Sequence, residues 1–160
     1  MNSHDDPLYR LKLAKRSLAK AENDAVDGQW DDCLAEAQEA VENAGKAILG
    51  HFRPIPKTHD VIGPLKRLTD KGNLPDAIRQ DIEASLDAFR NMGLATHIRA
   101  AYGDELTGTV PWELIQEPEA TAGLEKARRA VALAESVYAA VSGEPPTVEP
   151  ETPQSAEDDE

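Results

Sequence analysis

Arg90 and His97 stand seven positions apart in the stretch Arg90-Asn91-Met92-Gly93-Leu94-Ala95-Thr96-His97. On one continuous helix, seven steps of about 100° return to within roughly 20° of the starting direction, two turns further on. A permanently charged guanidinium and a titratable imidazole would then share a face. Histidine can take the proton from a ribose 2′-hydroxyl as that oxygen attacks the neighbouring phosphate. Arginine can hold the phosphate and stabilise the charge that builds on it, and Asn91 can orient either partner by hydrogen bonds. The chemistry this describes is RNA cleavage without a metal. Spacing alone does not select it. Arg53 and His59 satisfy a similar spacing across a proline-broken loop, and His97 can equally be an ordinary capping or core histidine.

Other catalytic signatures are missing from the sequence. It contains no G-x-G-x-x-G, P-loop, G-x-S-x-G or His-Glu-x-x-His. The four histidines, His4, His51, His59 and His97, have no paired helical spacing with one another, so neither a metal nor a cofactor is expected. The single cysteine, Cys33, excludes an internal disulfide and a cysteine-based zinc site, as suits a reducing compartment. Trp30 and Trp112 read as packing anchors rather than base-stacking platforms, because isolated aromatics without a basic surround make poor nucleic-acid sites.

The elements that must carry these side chains are helical. The chain of 160 residues is 40% hydrophobic but only 4% aromatic, and its apolar content is mostly Ala, Leu, Ile and Val. Small side chains let helix axes approach closely, whereas sheets favour aromatic and β-branched residues. Asp6-Pro7 opens a first helix, with Leu8, Leu11, Leu18, Ala21 and Ala25 at helical spacing up to Asp27-Gly28. A second runs from about Trp30 to Leu49, forming an antiparallel hairpin with the first. Thr58 is placed to cap a short helix covering Val61, Ile62, Leu65 and Leu68, with His59 fixing the loop before it. Pro75 restarts a helix whose stripe, Ile78, Ile82, Leu86 and Phe89, continues towards Met92 and Ile98; Gly93 either breaks it or admits another backbone. Residues 103–117 read as a loop, and Pro118 begins a last helix striped by Leu124, Ala127, Val131, Ala134, Tyr138 and Val141. These elements make an all-α, up-down bundle of about five helices over residues 6–142.

Residues 143–160 are different in kind. From Glu144 the chain has seven acidic residues, no basic one and four prolines, a composition expected to be disordered. The formal charge is −13 for the whole chain, and leaving out those seven acids gives −6 for residues 1–143. Such a balance disfavours non-specific nucleic-acid binding by the chain as a whole but permits a local basic pocket. No apolar run approaches the roughly 20 residues that span a bilayer, and the first residues lack a signal-peptide pattern. The expectation is a cytoplasmic protein with no membrane partner.

Several segments together resemble the HEPN family, helical domains often found beside minimal nucleotidyltransferases. Ala37-Gln38-Glu39-Ala40-Val41-Glu42-Asn43-Ala44-Gly45-Lys46-Ala47-Ile48-Leu49 is similar to the family's A-Q-x-A-x-E-x-x-x-K-A-x-L stretch. Pro56-Lys57-Thr58-His59-Asp60-Val61 is similar to its P-x-T-H-D-L entry into a short third helix. Ile98-Arg99-Ala100-Ala101-Tyr102-Gly103-Asp104 is similar to its I-x-x-R-Y-P-D turn, with Ala101 and Gly103 replacing Arg and Pro. The resemblance implies a ribonuclease motif at Arg90, Asn91 and His97, with Arg99 and Tyr102 as substrate-binding candidates. It also implies a homodimer whose two motifs face one composite cleft, RNA as substrate, and a nucleotidyltransferase antitoxin as partner. The same resemblance admits a non-catalytic module that binds a nucleotide or a protein.

Overall fold

Asp6 accepts a hydrogen bond from the Leu8 amide through its side chain, and Pro7 takes the first helical position where no donor is lost, so α1 spans Pro7–Val26. A tight turn at residues 27–29 leads into α2, Trp30–Gly50. Arg10 contacts Asn43 and Lys20 contacts Glu36, so the two helices run antiparallel as a hairpin. Lys15 and Glu22 of α1 pair with Glu135 and Arg128 of α7, Glu117–Ser142, which therefore also runs antiparallel to α1. The described residues are 5–143 of a computed structural model. His4 and the acidic tail lie outside them apart from Gly143.

The long helices α1, α2 and α7 meet along small side chains. Ala14, Ala21, Ala37, Ala40, Ala44, Ala127 and Ala130 are fully buried between them, with Leu34, Val41, Ile48 and Val137. Alanine at the contacts brings the axes close enough that aromatic filling is unnecessary, which accounts for the low aromatic content. Around this core the chain adds α3 (Ile62–Lys71), α4 (Asp76–Ser85), a 3-10 turn at Leu86–Phe89, α5 (Leu94–Tyr102) and the single-turn α6 (Pro111–Leu114). The described residues contain no strand, only one isolated bridge between Asp104 and Thr109. The all-α architecture expected from composition is the observed one.

Three expectations are corrected here, the first being the loop at residues 103–117, which holds the one-turn α6. The helix begun at Pro75 does not run on to His97: it tightens to the 3-10 turn, breaks at residues 90–93 and restarts as α5. Trp112 is not an anchor, since it is 66% exposed on α6 while Ile115 fills the core beside it. Trp30, by contrast, packs partly buried against the core.

Cys33 is buried on α2 between α1 and α7, and burial pushes its thiol up to about 11. A disulfide reagent near neutral pH is expected to leave the native thiol unmodified and to titrate it fully after unfolding in guanidinium. Rapid labelling of the native protein would contradict this packing.

Candidate functional site

One stripe of α2 is polar where its neighbours are apolar. Gln38, Glu42 and Lys46 follow one another at four-residue steps, so they lie one above the next on the same face. Gln38 is fully buried and Lys46 nearly so. The Lys46 ammonium donates to Glu42 Oε1 at 2.7 Å, and the Gln38 amide donates to Glu42 Oε2 at 3.0 Å and to the Met92 carbonyl at 3.4 Å. Burial alone would raise the Glu42 carboxyl, but hydrogen bonds from Lys46, His59 and Gln38 outweigh it and hold the group below the usual carboxylate range. Glu42 is therefore an anion that only accepts.

The loop at residues 56–61 lies over this stripe because α2 makes room for it. A Cβ on Gly45 would overlap the Val61 side chain, which sits buried against the helix there. The His59 ring is thereby brought to Glu42, with Nδ1 3.0 Å from Oε2. Since the carboxylate cannot donate, His59 Nδ1 carries the proton. His59 also stacks on His97 of α5, ring centroids 4.9 Å apart and planes within 10°. His97 Nδ1 in turn lies 3.3 Å from Gln38 Oε1. The Gln38 NH2 group already donates to Glu42 and Met92, so its oxygen accepts and His97 Nδ1 is the donor. The two imidazoles are thus parallel, each tied inward through Nδ1. Among the described residues neither Nε2 has a protein partner.

Arg90 and Asn91 reach the site from the break between the 3-10 turn and α5. Arg90 is extended and exposed, and Asn91 adopts the left-handed conformation (φ 56°) that asparagine tolerates better than most residues. The Lys126 ammonium of α7 holds the Arg90 carbonyl at 2.8 Å, and the Thr96 hydroxyl donates to the Asn91 carbonyl. The Asp60 carboxylate packs against Gly93, where a Cβ would overlap it and force that side chain to move. Arg90, Asn91, Gly93 and Thr96 line a groove of about 410 Å³ together with Asp60 and Ile62. His59, the residue before Asp60, lines a neighbouring concavity of about 540 Å³ with Arg10, Glu42, Lys46 and Lys57. His97 lines neither of these two concavities and reaches them only through its stack on His59, so the motif residues do not share the helical face expected from their spacing.

Arg99 and Tyr102 lie further along α5. Steps of about 100° per residue turn them well away from His97. Arg99 makes an exposed pair with Glu119 at 3.0 Å, and Tyr102 is 63% exposed. The hydroxyl of Thr58 closes a turn by accepting from the Asp60 amide, and α3 starts at Ile62 after Val61 with no side-chain cap. The helix-capping role expected for Thr58 is therefore corrected to a loop role. His51 packs between Phe52 and Tyr138, away from the other imidazoles.

Sequence reasoning passed over Gln38, Glu42 and Lys46 as site residues and read His59 as a loop fixture. The available signal was a polar triple at i, i+4 and i+8 inside an otherwise apolar, buried helix stripe. The His59–His97 pair carries no local signal, since 38 residues separate its members.

Among protein families, the one described as HEPN domain matches residues 8–144. No curated protein and no solved structure shows significant similarity to the chain.

Proposed function

The chain belongs to the HEPN family, and from that premise we propose that it is a metal-independent endoribonuclease. The observation that carries the reading is His97, whose Nδ1 is engaged by the buried amide of Gln38. With the proton on Nδ1, Nε2 carries the lone pair, and no donor among the described residues occupies it, as a general base requires. Arg90, exposed at the lip of the adjoining groove, binds the phosphate and stabilises the charge developing on it. Asn91, fixed in its left-handed turn, positions the two.

RNA incubated with purified protein in EDTA tests the reading. Cleavage should persist in the chelator and fall by about 10²–10³ in Arg90→Ala, the range for removing one transition-state donor. RNA left intact by the wild type, or cut at the wild-type rate by Arg90→Ala, would end it.

A homodimer accompanies the proposal. Leu94, Ile98 and Tyr102 occur at four-residue steps on α5, between 44% and 63% exposed, and Trp112 lies exposed on the neighbouring α6. A row of large apolar side chains beside a polar site suits a second copy. Ile98→Asp is expected to convert the dimer to a monomer in light scattering while leaving the melting temperature of the fold nearly unchanged. A wild-type monomer at micromolar concentration would remove the dimer. The pairing with a nucleotidyltransferase antitoxin rests on the family resemblance, and co-purification with the product of an adjacent gene tests it.

A second reading, a non-catalytic module that binds a nucleotide, is favoured by one observation: Arg90 stands on an extended segment outside α5 rather than beside His97 on it. Intact RNA together with a melting temperature raised by ATP would select it.

A further inference from the structure

We infer that His59 is the second proton-transfer group of this site, the general acid that protonates the leaving oxygen while His97 acts as the base. The inference rests on the ribonuclease reading above and adds to it a residue outside the Arg90–His97 stretch.

Phosphodiester cleavage by an internal hydroxyl needs two proton transfers. The 2′-oxygen forms a bond to phosphorus and loses its proton, while the bond from phosphorus to the 5′-oxygen breaks and that oxygen gains one. The products are a 2′,3′-cyclic phosphate and a 5′-hydroxyl, with no change in oxidation state. One imidazole can serve only one of these transfers at a time. In this chain two imidazoles lie parallel with centroids 4.9 Å apart, so a single phosphate can meet both.

Their inward partners differ in charge. His97 Nδ1 faces a neutral amide, that of Gln38, whereas His59 Nδ1 faces the Glu42 carboxylate at 3.0 Å. A positive ring at His59 therefore has a counter-charge in contact, and one at His97 does not. The donor role falls to His59 and the acceptor role to His97. The other charges near His59 are Lys46, already bonded to Glu42 Oε1, its chain neighbours Lys57 and Asp60, and Asp5 and Arg10 of the same concavity. His59 is also accessible, its side chain 47% exposed where it borders the concavity with Lys57. A histidine that merely fastened its loop could do so with less exposure and without stacking on the base.

A substrate that needs no acid separates this role from a structural one. When the 5′-bridging oxygen is replaced by sulfur, the leaving group departs as a thiolate, because thiols are far more acidic than alcohols. His59→Ala is expected to cleave ordinary RNA about 10²–10⁴ more slowly than wild type in EDTA. On the sulfur-bridged substrate the same variant should recover to within about tenfold of wild type. His59→Gln, which keeps a side chain able to bond Glu42, should show the same pattern, and His97→Ala should remain impaired on both substrates. Equal losses of His59→Ala on the two substrates, or no loss on either, would overturn the assignment while the ribonuclease reading stood. Wild-type protein that leaves both substrates intact would overturn the two together.

Discussion

Glu42→Ala is expected to lower the stability of the fold by about 3–5 kcal/mol, the range for removing one partner of a buried ion pair. For a chain of this size the melting temperature should fall by on the order of 10 °C. The Lys46 and Glu42 side chains are only 9% and 13% exposed, so the ammonium left behind would have only the water of the concavity it borders to turn to. Gln38 would lose one of its two acceptors at the same time. The loss comes from the orphaned partners more than from the pair itself. Glu42→Gln combined with Lys46→Met, which removes both charges at similar volume, should therefore recover most of it. Urea denaturation of the three proteins measures the difference, and a Glu42→Ala loss under 1 kcal/mol would show the pair to be solvated.

The same residue sets a pH dependence. The folded-state value of Glu42 lies below its ordinary 4.5. Its contribution is thus fully present above that value and disappears as pH falls through the lower, folded one. The stability difference between wild type and Glu42→Gln should shrink on acidification below about pH 4.5. Asp24 and Glu36 are shifted upward, chiefly by burial, and oppose this trend. Both proteins contain them, so the comparison isolates Glu42.

His97→Ala is expected to slow RNA cleavage by about 10²–10⁴ with little change in melting temperature, because the ring is only partly buried and general acid–base groups contribute on that scale. Gln38→Leu should act through His97. It keeps the volume of a fully buried side chain but removes the oxygen that selects the Nδ1–H tautomer. Its loss should appear in kcat more than in KM, as the phosphate contact of Arg90 is untouched. A His97→Ala enzyme as fast as wild type would reduce the Gln38 contact to a structural one.

The break between Phe89 and Leu94 shows why part of the site could not be read from spacing. Leu86, Phe89 and Met92 are three residues apart, and that interval suits a 3-10 turn as well as one face of an α-helix. All three bury or partly bury against the core, so hydrophobic pattern continues across a point where the helix does not. Gly93 was the warning, but its reason is the Asp60 carboxylate from a loop more than thirty residues earlier. Similarly, the one-turn α6 leaves Trp112 outside while Ile115 turns inward, a choice made by the packing of α6 against α2 and α5.

Periodicity, caps and breakers are local properties, and they sufficed for the long helices. Asp6 with Pro7 set the start of α1, the Ala-rich stripes of α1, α2 and α7 required close helix packing, and their composition excluded a sheet. The α2 ladder of Gln38, Glu42 and Lys46 was also written into four-residue spacing. What meets that ladder was not. His59 and His97 come from a loop and a helix with no fixed register between them, and they become neighbours only because Gly45 and Gly93 let the loop settle onto α2 and against α5. Contacts between distant segments depend on how cores close, and side-chain period along one helix carries no information about that closure.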